Sequence, residues 1–323
     1  MGTKLLYTLT VAILFLMPTV NFGQAPNLGT TSGFALFTAS GAFGNSGASS
    51  ITGNIGSNSE SVTGFPPGTI IGTIYNPPDA TLAQAAIDVG IAYGNFSTGG
   101  TVLGTPLETP GVLFPGVYST GGAATLNGDL TLNGGGDPDA LFIININGVL
   151  TIGASSHIIL TNSASLCNVY WQINGEFTLG NGSVFKGTIV SGGAIHLLEG
   201  SSLEGRGLTT AGAIDLQNNI VTNPLVVAAG TITGTAIVCQ GQAGVVYSVP
   251  MITNATGYNW TLPAGATISA GLNTNSITVN FSSIASSGNI TVYGSNSCGN
   301  GIVSPNYAVT VNPLPTTSLV YHF

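Results

Sequence analysis

The acidic side chains are the groups in this chain whose types and spacing come nearest to catalytic chemistry. Enzymes that cleave glycosidic bonds use a pair of carboxylates, or a base with a cation or metal that stabilises developing charge. The candidates are Asp137 with Asp139, Glu199 with Glu204, and Asp215 with His196. Asp137-Pro138-Asp139 directly follows a run of glycines, which is typical of a tight turn. We therefore interpret these acids as structural and predict no catalytic residue.

Metal and thiol chemistry have as little support. The histidines, His157, His196 and His322, are scattered, and no two cysteines have the close spacing that zinc sites use. Cys239 and Cys298 share a C-terminal part without charged residues, so we predict a disulfide between them. Cys167 has no cation nearby to activate a thiol, and we expect it to be a small buried apolar residue. No metal site or cofactor is predicted.

Charge is the scarcest property of the chain. Its 323 residues include three Lys and Arg, and 4% of all residues are charged, against about 25% in ordinary soluble domains. Beyond Lys4, the cations are Lys186 and Arg206, which suit either an acidic sugar or, more simply, two solvated positions on neighbouring repeats. A surface with so few cations has no positive electrostatic potential that would attract nucleic acid or an anionic membrane. It suits a neutral partner: a carbohydrate, another protein or ordered water.

The two ends of the chain differ from its middle. Residues 1–25 are typical of a secretory signal, because Lys4 precedes an apolar run that is too short to span a bilayer. No later stretch is apolar enough for a membrane helix. All eleven Asp and Glu precede residue 226, and this change in composition indicates a domain boundary. We predict a secreted protein with a signal peptide at 1–25, domains at 26–225 and 231–313, and a tail at 314–323.

Short strands fill the first domain. Between residues 116 and 221, runs rich in Ile, Val, Leu and Phe alternate with Gly, Asn and Ser, which is typical of a sandwich, a barrel or a solenoid. Residues 184–195 overlay residues 203–214 at an offset of 19. This length suits one coil of a parallel β-helix with three strands and three corners, and stacked coils bury a continuous apolar column.

One helix interrupts the strands. Asn76-Pro77-Pro78-Asp79 provides a stop, a proline-led start and an acidic first turn. The residues that follow at helical spacing are Leu82, Ala85, Ala86, Val89 and Tyr93. This pattern predicts an amphipathic helix to about Tyr93 that packs closely against the solenoid wall.

The pattern changes again from residue 231 to residue 313. Alternating runs separated by Gly, Pro and Asn turns predict an antiparallel β-sandwich. Trp260 lies between Cys239 and Cys298 and suits an immunoglobulin-like core.

Small hydroxyl residues recur at the corners of the predicted coils. A Thr or Ser followed by small residues occurs at 38–41, 120–123, 191–194 and 210–213. Because coils stack at about 4.8 Å, a residue type repeated in every coil forms a straight ladder. A flat ladder of Thr hydroxyls and methyls is comparable with the oxygen repeat of ice and would hold water in ice-like order. The alternative is that Thr and Ser simply favour strands and turns.

Ordered motifs run the length of the first domain. They are Asn27-Leu28-Gly29, Phe34-Ala35-Leu36, Ile51-Thr52-Gly53-Asn54-Ile55-Gly56, Thr63-Gly64-Phe65-Pro66-Pro67-Gly68-Thr69, Pro115-Gly116-Val117-Tyr118, Gly136-Asp137-Pro138-Asp139-Ala140-Leu141-Phe142, Cys167-Asn168-Val169-Tyr170-Trp171-Gln172-Ile173-Asn174-Gly175, Phe185-Lys186-Gly187-Thr188-Ile189, Gly205-Arg206-Gly207-Leu208 and Asp215-Leu216-Gln217-Asn218-Asn219-Ile220. Through these motifs the domain resembles the microbial ice-binding protein family with the discontinuous β-solenoid.

The resemblance implies an all-β fold: a three-faced, right-handed parallel β-solenoid (β-helix) with one long α-helix packed alongside. It implies that the N-terminal segment caps coils formed by the C-terminal one. It implies no cofactor and no catalysis. The implied partner is the surface of an ice crystal, whose growth and recrystallisation are slowed by adsorption of one flat face, so that thermal hysteresis results.

The residues of that face are predicted from the corner pattern. Some relatives carry Thr–Ala/Gly–x–Thr/Asn on it, and the corners here lack the final Thr or Asn. The predicted ice-contacting residues are Thr38, Ser40, Thr52, Asn54, Thr120, Thr188, Ser191, Thr209 and Thr210.

The C-terminal part resembles PKD-like, immunoglobulin-like repeats of secreted bacterial proteins, which act as spacers or adhesion units. Val238-Cys239, Tyr258-Asn259-Trp260 and Asn296-Ser297-Cys298-Gly299 are among the segments that carry the likeness. We expect a monomer. Two other functions stay open: a non-catalytic adhesin or polysaccharide-binding module, and a polysaccharide lyase that would depend on Asp139, Glu199 or Glu204.

Overall fold

A computed structural model describes residues 23–296 and 298–315 of the protein. Most of the predicted signal peptide and most of the predicted tail, including His322, lie outside these ranges. The described chain is mostly β-structure with one α-helix, so the predicted fold class is confirmed. No helix in the described ranges has the length and apolar character needed to cross a membrane.

Twenty-two strands, one α-helix and two 3₁₀ segments make up the first part of the chain. The strands are β1 (Phe34–Thr38), β2 (Phe43–Asn45), β3 (Ser50–Thr52), β4 (Asn54–Ser57), β5 (Val62–Thr63), β6 (Thr69–Ile71), β7 (Ile74–Tyr75), β8 (Thr101–Leu103), β9 (Val112–Leu113), β10 (Gly116–Thr120), β11 (Ala124–Leu126), β12 (Asp129–Asn133), β13 (Phe142–Ile146), β14 (Leu150–Ile152), β15 (His157–Thr161), β16 (Val169–Ile173), β17 (Phe177–Leu179), β18 (Val184–Ser191), β19 (Ile195–Leu197), β20 (Ser202–Thr209), β21 (Ile214–Leu216) and β22 (Ile220–Thr222). The helix is α1 (Ala80–Gly94), and the 3₁₀ segments are Gly29–Gly33 and Leu166–Asn168.

Successive coils of the chain stack by parallel strand pairing, and each complete coil gives one strand to each of three faces. The seven-strand face contains β11, β14, β17, β19, β21, β2 and β5 in stacking order. The helix face contains β8, β10, β13, β16, the second halves of β18 and β20, β1, β4 and β7, and the third face contains β9, β12, β15, the first halves of β18 and β20, β22, β3 and β6. The chain is therefore a three-faced parallel β-solenoid.

Two glycines carry long strands around one corner of the solenoid. The first half of β18 pairs with β15 and the second half with β16. Between these halves, Gly187 has a φ of 112°, and the equivalent Gly205 of β20 has a φ of 147°. A Cβ atom at Gly205 would lie 1.8 Å from the carbonyl oxygen of Gly187. Only glycine fits there, because both the backbone conformation and the close approach exclude a side chain.

The N-terminal coil stacks on the last coil of the domain. β1 pairs with β20, β2 with β21 and β3 with β22, all in parallel. Residues about 170 positions apart in the chain thus become neighbours, as the resemblance implies. The interior of the stack is apolar and includes Phe185, whose ring centroid lies 4.9 Å from those of Trp171 and Phe177. Each such side chain contributes about 1.5–3 kcal/mol when it is fully buried.

The register between β18 and β20 differs from the overlay made on the sequence. Val184 pairs with Ser202 and Ser191 with Thr209, an offset of 18. The offset of 19 is correct only after the corner, where Ile195 pairs with Ile214. The extra residue lies in the corner itself, between Thr209 and Ile214. The predicted offset of 19 was therefore wrong for the strand. An error of one residue matters because it places every side chain of a strand on the opposite side.

Helix α1 lies along the helix face, as predicted. Asp79 caps its N-terminus, since the carboxylate accepts hydrogen bonds from Thr81 N at 2.7 Å and Leu82 N at 3.2 Å. Its buried residues, Leu82, Ala85, Val89 and Ala92, pack against Phe34, Phe37, Ile143, Val190 and Leu208 of the solenoid wall. The small alanines let the helix approach closely, and the helix covers this face.

The remaining strands form an antiparallel sandwich. They are β23 (Thr233–Gly234), β24 (Ile237–Cys239), β25 (Val245–Ser248), β26 (Gly257–Thr261), β27 (Ala266–Ala270), β28 (Ser276–Phe281), β29 (Gly288–Asn296), β30 (Gly299–Asn300) and β31 (Tyr307–Asn312). One sheet contains four strands and the other five, with a parallel pair between β24 and β31. The buried aromatic residues of the core are Tyr247 and Phe281. Trp260 is partly exposed on edge strand β26 and donates to Thr274 O.

The predicted disulfide was wrong. Cys298 is bonded to Cys167 of the solenoid, and Cys239 is a free, exposed thiol. Composition placed Cys239 and Cys298 in the same domain, but the disulfide joins two domains across 131 residues of sequence. The junction is reinforced by Asn254 and Asn296, whose side-chain amides donate to the backbone carbonyls of residues 223–225 and 254 at 2.7–2.9 Å.

Alkylation of the folded protein tests this pairing. We expect N-ethylmaleimide to label Cys239 only, and digestion without reduction to yield a Cys167 peptide joined to a Cys298 peptide, because the disulfide sulfurs cannot react. A Cys239→Ser control should take up no label under the same conditions. A peptide pair containing Cys239 and Cys298, detected by mass spectrometry, would contradict the structure.

Candidate functional site

The seven-strand face is the most regular outward surface of the solenoid. All but β5 of its strands have three residues, of which the first and third are buried and the middle one faces outward. The strands pair in register, so the middle residues form one straight column with a spacing of about 4.8 Å. In stacking order this central column is Thr125, Thr151, Thr178, His196, Asp215, Gly44 and Thr63.

Two flanking columns widen this surface. The hydrogen-bond ladder continues for one residue beyond each strand, so the residues before and after the strands also align. The column before the strands is Ala123, Val149, Glu176, Ala194, Ala213 and Ala42, and the column after them is Asn127, Gly153, Gly180, Leu198, Gln217 and Ser46. Adjacent columns lie about 6.6 Å apart, two residues along a strand. The result is a lattice of mostly small, uncharged side chains.

A hydrogen-bonded pair of a histidine and an aspartate interrupts the central column. His196 Nδ1 lies 2.9 Å from Asp215 Oδ2, and their side chains are 32% and 51% exposed. Beside the pair, Gly44 has no side chain, and a shallow depression opens there toward Ser46 and Thr63. The column therefore has an unbroken threonine part, from Thr125 to Thr178, and an interrupted part.

The third face is less uniform. Its outward columns are Asp129, His157, Val184, Ser202, Ile220, Ser50 and Thr69, and Thr131, Ile159, Lys186, Glu204, Thr222, Thr52 and Ile71. His157 Nδ1 lies 2.8 Å from Asp129 Oδ1, and Lys186 forms an ion pair with Glu204 on the next coil. Exposed isoleucines lie among these charges, and the longest run of one residue type is two threonines, Thr222 and Thr52, on successive coils.

Five of the nine residues predicted to contact a partner are buried. Thr38, Thr120, Thr188, Ser191 and Thr209 are each at most 1% exposed. They cannot touch anything outside the protein, and this part of the prediction was wrong.

Hydrogen bonding explains the burial of these hydroxyls. Four of them lie where the helix face turns into the seven-strand face, and each donates to a corner carbonyl: Thr38 to Gly212 O at 2.8 Å, Thr120 to Gly122 O at 2.7 Å, Ser191 to Gly175 O at 2.8 Å and Thr209 to Gly193 O at 2.6 Å. Gly175 O also accepts from Gly193 N at 3.0 Å, whereas no backbone donor reaches the carbonyls of Gly122, Gly193 and Gly212 in the described chain. A hydroxyl that is buried needs a partner, because a buried polar group without one is destabilising. Thr188 lies on the helix face and accepts from Arg206 Nη1 at 3.1 Å.

The other four predicted residues remain accessible but lie on different surfaces. Ser40 is exposed and Thr210 half-buried at the corner that leads into the seven-strand face. Thr52 is half-buried in an outward column of the third face, and Asn54 accepts a hydrogen bond from Thr73 N at 2.9 Å. The structure therefore does not bring the nine residues together on one surface.

The threonines of the central column were missed by the sequence prediction. Thr125, Thr151 and Thr178 each lie between two buried apolar residues of a three-residue strand. That pattern, an apolar residue on either side of an outward threonine, was present in the sequence and indicates a half-buried strand. The more conspicuous repeat, at the corners, consists of hydroxyls that turn inward.

The candidate catalytic carboxylates do not form a site. Glu204 pairs with Lys186, Glu199 accepts from Asn218, and Asp137 accepts from the backbone N–H of Asp139 within its own turn. Across residues 23–296 and 298–315, no group of three His, Cys, Asp or Glu side chains could hold a metal ion.

Comparisons with known proteins agree with this geometry. A family model described as ice-binding-like matches residues 37–222, and a PKD-like domain model matches residues 225–309. An ice-binding protein of Nostoc sp. (strain HG1) is 40% identical over 201 residues, which cover 61% of this chain and 73% of that protein.

Solved structures give the same result. The crystal structure of an ice-binding protein from an Antarctic biological consortium matches with a TM-score of 0.59 at 32% identity, covering 64% of this chain and 95% of that one. The crystal structure of an ice-binding protein from an Antarctic Flavobacteriaceae bacterium matches with a TM-score of 0.62 at 36% identity, covering 68% of this chain and 54% of that one.

The structural role of the corner hydroxyls can be tested on two neighbouring threonines. We expect Thr209→Val to lower the free energy of unfolding by about 1–3 kcal/mol, because the buried Thr209 hydroxyl is the donor to Gly193 O and Ala211 O, and both carbonyls lose that hydrogen bond. Thr210→Val is the matched control and should cost under about 0.5 kcal/mol, because Thr210 is half-buried with one long hydrogen bond of 3.3 Å. Urea unfolding measures both, and equal costs would contradict the assignment.

Proposed function

This chain belongs to the ice-binding-like family, and from that premise we propose that it is an ice-binding protein that adsorbs to ice through its seven-strand face. The match covers the whole solenoid, from β1 to β22. The observation that carries the choice of face is the in-register threonine ladder of Thr125, Thr151 and Thr178. Neither of the other faces presents the same small residue, facing outward, on three successive coils.

The ladder supplies the chemistry that ordered water needs. Each outward threonine presents a hydroxyl that accepts and donates hydrogen bonds, beside a methyl group that offers none. Repetition at about 4.8 Å along the stack and about 6.6 Å across it places these groups on a rigid two-dimensional grid. Water molecules anchored by the hydroxyls and confined by the methyls adopt ice-like order and merge with the crystal.

The scarcity of free charge supports the same partner. Within residues 23–296 and 298–315, Lys186 is paired with Glu204, His157 and His196 are hydrogen-bonded to aspartates, and Arg206 is 5% exposed. A solvated ion orders water around itself in a pattern unlike ice, so few ions can be tolerated, and Glu176 is the exposed carboxylate that the flanking columns of this face carry. Adsorbed molecules pin the growth steps of the crystal, and the curved front between them freezes at a lower temperature, which produces thermal hysteresis and slows recrystallisation.

The protein is not an enzyme on this account, and its partner is the ice surface. We also propose that it is secreted and monomeric, with domains at 26–225 and 231–313. The disulfide between Cys167 and Cys298 supports an oxidising compartment, and the signal-like residues 1–25 support export. The sandwich would hold the solenoid away from a surface or from a further domain.

A bulky side chain on the proposed face tests its role. We expect Thr151→Tyr to remove most of the thermal hysteresis, because an aromatic ring standing out of the flat lattice prevents contact over several neighbouring positions. Thr131→Tyr is the matched control, since Thr131 faces outward on the third face of a neighbouring coil. Circular dichroism should show both variants folded. Loss of hysteresis in the control but not in Thr151→Tyr would move the ice site to the third face.

Replacing His196 and Asp215 by threonines tests whether this pair weakens adsorption to ice. We expect His196→Thr with Asp215→Thr to raise the hysteresis, because the threonine column then runs unbroken from Thr125 through five coils. His157→Thr with Asp129→Thr removes an equivalent ion pair from the third face and should leave the hysteresis unchanged. Each pair is solvent-exposed and contributes at most about 1 kcal/mol to stability. Equal effects of the two double variants on hysteresis would contradict the choice of face.

A further inference from the structure

Arg206 is a buried cation beneath the N-terminal segment. It lies in a column of the helix face that also contains Tyr170 and Thr188 of the two preceding coils. Its side chain is 5% exposed. The guanidinium donates from Nε to Ser32 O at 2.9 Å and from Nη1 to Thr188 Oγ1 at 3.1 Å. Of its five N–H donors, three make no hydrogen bond within the described chain.

No carboxylate in the described chain forms an ion pair with this guanidinium. The salt bridges there join Lys186 to Glu204 and the two histidines to Asp129 and Asp215. Asp88 contacts the same N-terminal segment, but it accepts hydrogen bonds from Thr30 N and Gln84 Nε2. A buried charge without an opposite charge is strongly destabilising.

Burial lowers the pKa of Arg206 to about 10, so the guanidinium is still charged at neutral pH. The charge therefore has to be balanced by something other than the described side chains.

A cavity of about 260 Å³ opens beside the guanidinium. Its walls include Asn27, Ser32, Tyr170, Leu225 and the disulfide between Cys167 and Cys298. Burial raises the pKa of the Tyr170 phenol, so its hydroxyl stays protonated and able to donate. That hydroxyl makes no hydrogen bond within residues 23–296 and 298–315. The cavity thus combines an unbalanced cation with an unused phenolic donor.

We propose that this cavity binds a small oxyanion between Arg206 and Tyr170. A planar guanidinium presents paired N–H donors that match two oxygens of a carboxylate, sulfate or phosphate group. The Tyr170 hydroxyl supplies a further donor from the side of the cavity. The anion balances the buried charge at the point where the N-terminal segment, the solenoid wall and the disulfide to the sandwich meet. The site lies on the helix face, beneath the N-terminal segment, and is separate from the proposed ice surface.

Titration calorimetry of the full chain tests the site with two probes, sodium sulfate and sodium acetate, at constant ionic strength. We expect a one-site binding isotherm with sulfate, with acetate or with both. Binding of sulfate indicates that the natural ligand is an inorganic oxyanion, and binding of acetate indicates that it is a carboxylate. Tyr170→Phe should weaken binding by about tenfold or more, because it removes a hydrogen bond to a charged group without changing the shape of the wall.

Lys186→Gln is the matched control, since it removes a cation from the outer surface one coil away and should leave binding unchanged. Arg206→Gln should abolish binding, and if that variant does not fold, Tyr170→Phe decides the result. Absence of binding of both anions to the unmodified protein would overturn the proposal. So would equal affinity in Tyr170→Phe, or loss of binding in Lys186→Gln.

Discussion

Parallel, in-register hydrogen bonding between successive coils is the constraint on which the rest of this structure depends. It fixes the spacing between coils at about 4.8 Å, and it places the same position of every coil in one column. Whether a column is apolar, such as Leu150, Phe177 and Ile195, or polar, such as Thr151, Thr178 and His196, follows from the alternation of side chains along each short strand. A flat surface with a molecular repeat is therefore a direct result of the backbone geometry.

Hydroxyl residues serve this geometry in two ways. At the corners, residues such as Thr209 turn inward and satisfy carbonyls that the strand ladder leaves without donors. In the middle of the strands, residues such as Thr151 turn outward and are free to bind water. The two groups have the same composition and similar repeat lengths, so abundance of threonine alone does not reveal which of them forms a surface.

Much of the architecture could be predicted from the sequence, and the limits have physical causes. Helix α1 was located correctly because Asp79 and the apolar spacing after it act locally. The register between β18 and β20 was predicted incorrectly, because one additional corner residue after Thr209 changes the offset between coils from 18 to 19 residues. The disulfide to Cys167 depends on how the two domains pack, which local composition does not encode. The burial of Thr188 depends on Arg206 and the N-terminal segment above it.

The distribution of charge follows the same division between surface and interior. The cationic groups of the described chain are either paired on a neighbouring coil or buried, so the outer lattice carries few free charges, among them the exposed carboxylate of Glu176. A neutral, rigid and repeating surface is what adsorption to ice requires, and the family match and the fold agree with that function. The most direct measurement is the thermal hysteresis of the purified chain from residue 26 onward. The account predicts faceted crystals and a gap between the melting and freezing temperatures, whereas a folded protein that leaves round crystals and no gap would contradict it.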